Sequence, residues 1–237
     1  MGDARRRLIL WDIDGTLVRP GPAGRALYAC AFERVTGRPM RVQSPTHGRL
    51  DPGIFRDTLV ANDLDPSAHP FPAFASALAA VYLAGADVLR REGTALPGAA
   101  GALEALAAEP RAVQSVLTGN VEPVARVKLS TFGLDRHLDL AIAAYGDDAA
   151  VRADLVEVAR RRAATRLGDV FDPGGTVLVG DSVRDVAAGR AAGVPVIAVA
   201  TGRDGPGELR AAGAGVVLPG LADTGAVVRA IRECAAG

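Results

Sequence analysis

Acidic, hydroxyl and amide side chains follow three separate strand-like segments of this chain. In an open parallel sheet, ligands bind beyond the carboxyl ends of the strands, so we expect these side chains to converge on one rim. The first segment is followed by Asp12, Asp14, Gly15 and Thr16, the second by Thr118, Gly119 and Asn120, and a later one by Gly180, Asp181, Ser182 and Asp185.

The pair Asp12 and Asp14 has a spacing suited to metal and phosphate chemistry. The two residues lie two apart in an extended segment, so both side chains face one side while Ile13 packs into the core. Close carboxylates repel each other unless a cation or a proton neutralises them. With Asp181 they supply the hard oxygen ligands that suit Mg²⁺, which keeps waters that a phosphate can displace. A carboxylate can also serve as the nucleophile, so the pattern predicts phosphoryl transfer through an aspartyl-phosphate.

Strand-like and helical patterns alternate along most of the chain. This alternation predicts an α/β fold, a Rossmann-like doubly wound parallel sheet with helices on both faces. We expect strands over 8–13, 112–117, 138–143, 176–179 and 194–199, and helices over 99–108, 122–132, 153–167 and 183–192. A weaker final unit adds a helix over 208–212, a strand over 216–218 and a helix over 222–234.

Residues 19–96 interrupt this alternation. They contain no convincing strand, but helical patterns cover 23–35, 53–60 and 74–90, and Asp51-Pro52 is typical of a capped helix start. We therefore predict a Rossmann-like core of residues 1–18 and 97–237, with an α-helical cap domain inserted at 19–96.

Composition excludes several classes of function. The 27 basic and 27 acidic residues give a formal net charge of +0, so no electrostatic feature favours nucleic acid or an anionic membrane surface. Cys30 and Cys234 are far apart, which argues against a disulfide scaffold or zinc site and favours the cytoplasm. No apolar run approaches the ~20 residues of a spanning helix. The aromatic content of 4% predicts a core of Ala, Val and Leu.

The chain resembles the haloacid dehalogenase superfamily. The segments WDIDGTLV (11–18), LTGN (117–120) and VGDSVRD (179–185) are similar to its first, second and fourth motifs in order and spacing. The LPG segment at 96–98 and the place of the insert are similar to phosphoglycolate-phosphatase-like members, whose mobile helical cap lies between the first two motifs.

The resemblance implies a role for each matching residue. Asp12 would be the nucleophile and a Mg²⁺ ligand, and Asp14 the general acid and base whose backbone carbonyl also binds the ion. Asp181 would complete the metal ligands, and Asp185 would support them. The remaining phosphate-binding positions would be Thr118, the backbone amide of Gly119, Asn120 and Gly15, the last allowing a sharp turn beside the nucleophile.

The third motif, a basic residue that neutralises the nucleophile, departs from the common pattern. Many relatives have a Lys-Pro pair before the helix that precedes the fourth motif, whereas this region reads Val151-Arg152-Ala153-Asp154. Arg152 has the usual sequence position. Lys128 lies early in the helix after LTGN and could lean back toward the strand ends. We favour Lys128, because it is the single lysine among the 27 basic residues and a point charge is not freely replaced by a planar fork.

The resemblance implies a phosphomonoester hydrolase for a small, anionic, phosphoglycolate-like metabolite, acting as a monomer or homodimer. Arg49 in the insert is a candidate for a second anionic group on the substrate, although a surface role is the alternative. His47, His69 and His137 show no ligand spacing and are given no catalytic role. A sugar phosphomutase of the same fold and a non-catalytic module for phosphorylated ligands or partners remain the alternatives.

Overall fold

The computed structural model describes residues 6–234 of the chain, and a five-stranded parallel sheet lies at its centre. The strand order is β4-β1-β5-β6-β7, while β2 and β3 form a separate antiparallel pair. This confirms the doubly wound α/β fold. The strands in the described part of the chain are β1 (Arg7–Trp11), β2 (Val18–Arg19), β3 (Thr94–Ala95), β4 (Ala112–Val116), β5 (Thr176–Gly180), β6 (Val196–Val199) and β7 (Val216–Leu218).

Helices connect these strands and supply the insert. The helices of the described residues are α1 (Gly21–Thr36), α2 (Asp51–Ala61), α3 (Phe71–Ala84), α4 (Ala86–Glu92), α5 (Ala99–Ala107), α6 (Glu122–Thr131), α7 (Asp154–Leu167), α8 (Val183–Ala191), α9 (Pro206–Ala211) and α10 (Thr224–Glu233).

Both faces of the sheet are covered by helices, as the alternating side chains of β1 show. Ile9 and Trp11 pack in one apolar cluster with residues of α5, α6 and α10. Leu8 and Leu10 point to the opposite face and pack with residues of α7, α8 and α9. A strand that is apolar on both faces belongs in the middle of a sheet. Strand β1 therefore lies between β4 and β5. The residues that follow it leave the sheet between the loops that follow these two neighbouring strands.

The helices of the insert share a hydrophobic cluster with α6 of the core, and this cluster is rich in aromatic side chains. Five of the six phenylalanines in the chain pack in it or against it with Tyr28 and Tyr82, namely Phe32, Phe55, Phe71, Phe74 and Phe132. The Phe55 and Phe74 rings are stacked with centroids 4.0 Å apart. The prediction of a core without rings is wrong for the insert, because the low overall content concealed local clustering. The division into 1–18 with 97–237 and 19–96 stays a prediction, and its ends at 1–5 and 235–237 lie outside the described residues.

Several predicted elements differ from the structure. The strand over 138–143 is wrong, because Asp139 accepts a hydrogen bond from the Ala141 backbone N–H at 3.1 Å and turns the chain. Only an isolated bridge between Leu117 and Ala144 remains next to β4. The single helix over 74–90 is also wrong, since α3 and α4 meet at Gly85 with a bend of 67°. A Cβ at Gly85 would overlap Leu27, so the close approach of α1 explains the break.

The expectation of no strand within 19–96 is wrong as well, because Arg19 pairs with Thr94 where the insert leaves and rejoins the core. The start of α2 also differs from its prediction. Leu50 occupies the N-cap position without a side-chain cap, and Asp51 is the first helical residue.

Within residues 6–234 no single helix has the length and apolar character needed to cross a membrane. Helices α3 and α4 meet that test only when they are taken together, across their bend.

Candidate active site

The register of the sheet brings the three predicted loops to one level. Trp11 of β1 pairs with Val116 of β4 on one side and with Val179 of β5 on the other. Because the strands are parallel, the residues that follow these three positions leave the sheet together. The structure thus places Asp12, Thr118 and Asp181 around one cavity.

Three carboxylates form a tight, buried cluster on this rim. Asp12, Asp181 and Asp185 each offer one oxygen, and these oxygens all lie within 4.8 Å of one another. Burial is the main cause that raises the pKa of Asp12 and of Asp181 above the usual aspartate value, and neighbouring carboxylates raise both further. Carboxylates in this arrangement need a cation or protons.

The residues present fit a divalent metal ion. Oδ2 of Asp181 is buried and has no hydrogen-bond partner among the described residues, whereas its Oδ1 accepts from the Thr16 hydroxyl at 3.1 Å. Oxygen-only donors of this kind suit Mg²⁺. The free oxygen and the raised pKa values are what a site built for a small hard cation would show.

Glycines make room for the Asp181 carboxylate. Gly15 has a φ of +89°, a region that L side chains rarely adopt, and a Cβ there would overlap Asp181. A Cβ on Gly202, in the loop after β6, would overlap the same carboxylate even more closely. The predicted sharp turn at Gly15 therefore also brings backbone close to the acidic cluster.

Arg152 joins two of the acidic residues. Its Nη2 lies 3.0 Å from Oδ1 of Asp12 and 2.6 Å from Oδ1 of Asp185. The side chain is buried, at 8% exposure. Asp185 also accepts from the Ser182 hydroxyl at 2.6 Å, so it orients both the start of α8 and the guanidinium. Arg152 is the cation in direct contact with Asp12.

Lys128 reaches the site from α6, as the lean of a helical side chain predicts. Its Nζ donates to Asp14 at 2.6 and 2.8 Å and to Oδ1 of Asn120 at 2.7 Å. Burial alone would lower the pKa of this ammonium, but the facing carboxylate of Asp14 raises it above its usual value, so Lys128 remains charged. The two candidates for the third motif thus lie in the same site and contact different aspartates.

Thr118 and Asn120 form a small network beside Asp14. The Asn120 amide donates to the Thr118 hydroxyl and to Oδ2 of Asp14, both at 2.8 Å. Thr118 is fully buried. The loop at Gly119 is therefore held in one shape before any substrate binds.

Arg49 lines the cavity, but its donors are directed to its own segment. Nη1 donates to the Ser44 hydroxyl at 2.7 Å, and Nη2 forms an ion pair with Asp57. A substrate anion at Arg49 would have to compete with Asp57.

The sequence interpretation missed a histidine at the rim. Nε2 of His47, a residue of the insert, forms a hydrogen bond with the Asp204 carboxylate at 3.1 Å. The other ring nitrogen, Nδ1, lies 3.6 Å from Oδ2 of Asp181. Asp204 also accepts from the Val183 backbone N–H at 2.7 Å. A signal for Asp204 was present, since it lies in the loop that follows β6, whereas His47 is too distant in sequence for any spacing to indicate it.

The cavity above the acidic cluster has a volume of about 440 Å³. Core residues form its floor, and insert residues such as Tyr28, Ile54 and Tyr82 form its wall. Fold and site together define a doubly wound α/β protein in which three buried carboxylates that could hold a cation lie beside a cavity.

The chain belongs to the haloacid dehalogenase-like hydrolase family, whose model matches residues 6–193. It is 34% identical over 218 residues to the plasmid-encoded phosphoglycolate phosphatase of Cupriavidus necator, covering 90% of this chain and 89% of that protein. These two findings support a phosphatase.

Solved structures agree with the fold. A hydrolase from Pseudomonas syringae is similar with a TM-score of 0.65 and 21% identity, over 96% of this chain and 98% of that one. A protein from Haemophilus somnus described as a predicted phosphoglycolate phosphatase has a TM-score of 0.63 and 20% identity, over 96% and 100% of the two chains.

Proposed function

We propose that this protein is a Mg²⁺-dependent phosphomonoester hydrolase that acts through a phosphorylated Asp12. The observation that carries the proposal is the position of Asp12. Its carboxylate belongs to a three-aspartate cluster, contacts Arg152 and lines the floor of the cavity. A nucleophile that is paired with a cation and also lines a cavity suits in-line phosphoryl transfer.

Asp12, Asp181 and the backbone carbonyl of Asp14 would hold Mg²⁺, with Asp185 in a supporting position. When bound, the ion would neutralise the carboxylates and the phosphoryl oxygens. The unpartnered Oδ2 of Asp181 and the raised pKa values of Asp12 and Asp181 support this assignment.

Asp12 attacks phosphorus, and the bond from phosphorus to the leaving oxygen breaks. Asp14 gives a proton to that oxygen, then takes one from the water that attacks the phosphorylated Asp12 and releases inorganic phosphate. Lys128 would hold the Asp14 side chain in place for both proton transfers through hydrogen bonds of 2.6 and 2.8 Å from its ammonium.

Phosphoryl oxygens would be held by Arg152, the Thr118 hydroxyl and the backbone amide of Gly119. We assign the charge beside Asp12 to Arg152 because its guanidinium is in contact with that carboxylate. The sequence preference for Lys128 in the same role stays a prediction, and the variants in the Discussion separate the two.

The substrate would be a small phosphorylated metabolite with a second anionic group. A cavity of about 440 Å³ limits its size, and Arg25, Arg49 and Arg203 are cations on its wall. The similarity to a phosphoglycolate phosphatase makes phosphoglycolate the first compound to test. We also propose a cytoplasmic location, which the two free cysteines support.

The test is release of inorganic phosphate from an aryl phosphate and from phosphoglycolate. We expect hydrolysis with Mg²⁺, loss of hydrolysis with EDTA and recovery when Mg²⁺ is added in excess. Glycerol phosphate, which has the phosphate but lacks the carboxylate, is the matched control for the anionic group. Equal rates with Mg²⁺ and with EDTA would contradict the proposal.

A further inference from the structure

Six charged side chains are buried in the described part of the chain, and five of them belong to the site above. These five are Asp12, Lys128, Arg152, Asp181 and Asp185. The sixth is Asp51, which comes from the insert. Burial of a carboxylate is costly unless it is paired or hydrogen-bonded, so its position calls for a physical reason.

Asp51 is bonded to the loop between β4 and α6 through both backbone and side chain. Its N–H donates to the Gly119 carbonyl oxygen at 2.8 Å. Its Oδ2 accepts from the Val121 backbone N–H at 3.0 Å. One residue of the insert therefore binds the backbone of this loop at Gly119 and at Val121, before and after Asn120.

The packing around this contact leaves little freedom. A Cβ on Gly119 would overlap the carbonyl oxygen of Arg49, and the Gly146 backbone lies directly behind the Gly119 carbonyl. The Gly146 N–H donates to the Asn120 carbonyl oxygen at 2.8 Å. Since the loop is packed against Arg49 and against Gly146, a substitution of Asp51 should shift the positions of the Thr118 hydroxyl and the Gly119 amide.

Asp51 also supplies what α6 lacks. Val121 is the N-cap residue of α6 and has no side-chain cap bond of its own. A carboxylate at a helix N-terminus is favourable because unpaired N–H groups and the helix dipole meet it there. Helix α6 carries Lys128, so the same contact fixes the origin of the helix that delivers an ammonium to Asp14.

We propose that Asp51 is a positioning residue, through which the insert holds the phosphate-binding loop and the start of α6 in the geometry needed for phosphoryl transfer. The inference rests on the proposed function for its kinetic part only. Its structural part, restraint of residues 118–121 by an insert carboxylate, holds whatever the reaction is.

The test compares Asp51→Ala, Asp51→Asn and Asp87→Asn. Asp51→Asn keeps an acceptor for the Val121 N–H, so it should partly restore what Asp51→Ala loses. Asp87 is an exposed aspartate of the insert that pairs with Arg90, so Asp87→Asn is the matched control. Far-UV circular dichroism and the melting temperature establish that each variant folds.

The first readout is amide hydrogen exchange of peptides that cover 118–124. We expect exchange about fivefold faster or more in Asp51→Ala, an intermediate value in Asp51→Asn and no change in Asp87→Asn. Unchanged exchange in folded Asp51→Ala would overturn the inference, and this holds even if the wild type proves inactive. Should Asp51→Ala fail to fold, the same comparison is made with Asp51→Asn.

The second readout is aryl phosphate hydrolysis relative to wild type. We expect kcat to fall about 10- to 100-fold in Asp51→Ala and inorganic phosphate to inhibit less strongly, because a misplaced loop binds phosphoryl oxygens poorly. A lower melting temperature with kcat and phosphate inhibition unchanged would show that Asp51 only stabilises the fold. An inactive wild type would instead contradict the proposed function.

Discussion

Nη2 of Arg152 lies 3.0 Å from Oδ1 of Asp12, across a sequence separation that no local pattern indicates. The same guanidinium contacts Asp185, whereas the Lys128 ammonium contacts Asp14. The two buried cations therefore form ion pairs with different aspartates, and we expect their removal to change kcat and KM in different ways.

We expect Arg152→Ala to raise KM and lower kcat together, because in the proposed mechanism the guanidinium neutralises Asp12 and the phosphoryl oxygens. A combined loss in kcat/KM of about 10³-fold is the expected scale for a buried charge of this kind. Arg161, an exposed arginine of α7, the helix that follows Arg152, offers the control variant Arg161→Ala. Normal kinetics in Arg152→Ala would remove Arg152 from the site.

Lys128→Ala should lower kcat more than it changes KM, because in the proposed mechanism its partner Asp14 transfers protons and does not hold the phosphoryl group. The loss should be smallest for aryl phosphates, whose leaving groups need little help from an acid, and larger for an alkyl phosphate. A near-normal kcat on both substrates would contradict the role of Lys128.

Gly15→Ala should abolish activity, whereas the protein should still fold with a moderately lower free energy of unfolding. The residue has a φ of +89°, and a Cβ there would overlap the Asp181 carboxylate, so the added methyl group should displace a proposed metal ligand. We expect a stability loss of about 1–3 kcal/mol together with loss of the Mg²⁺ dependence of Tm. Gly207→Ala, where a Cβ would meet nothing within 4 Å, is the control.

Mg²⁺ and protons should compete for the acidic cluster. Burial raises the pKa of Asp12 and of Asp181 in the metal-free fold. A raised pKa means that the folded state binds more protons than the unfolded state. The contribution of these two carboxyl groups to the free energy of unfolding is therefore fully present below about pH 4. It is lost as the pH rises through their folded-state pKa values.

Bound Mg²⁺ would relieve the repulsion between the ionised carboxylates of the cluster. The gain in Tm on replacing EDTA by Mg²⁺ should therefore be larger at about pH 8 than at about pH 6. Calorimetry of the wild type and of Asp181→Asn measures this directly. We expect most of the gain to disappear in the variant. A gain that is the same at both pH values, or unchanged in Asp181→Asn, would place the ion elsewhere.

The central sheet and its rim could be predicted because their signals are local. Each strand is a short apolar run, and Asp12, Thr118 and Asp181 directly follow such runs. Parallel pairing then brings the strand ends together, as the shared register of Trp11, Val116 and Val179 shows.

Features that depend on tertiary contact could not be predicted in this way. The break at Gly85 arises from the approach of Leu27, and the turn at Asp139 replaces a strand whose composition alone looked suitable. The contacts of Asp51 and His47 are with partners more than 60 residues away in the sequence. Helical propensity suggested a capping role for Asp51, but its side chain reaches the core instead.

A phosphoryl group trapped on Asp12 tests the central claim most directly. In Asp14→Asn, the residue that activates water is lost, while an aryl phosphate can still phosphorylate Asp12 because its leaving group needs no proton. Acid quench and trypsin digestion yield the peptide Leu8–Arg25, because the Arg19-Pro20 bond resists trypsin, and tandem mass spectrometry can locate and fragment this peptide. We expect this peptide to gain the mass of one phosphoryl group on Asp12 in the presence of Mg²⁺, and not with EDTA. Phosphate release without any such phosphopeptide, together with normal activity of Asp12→Asn, would contradict the account.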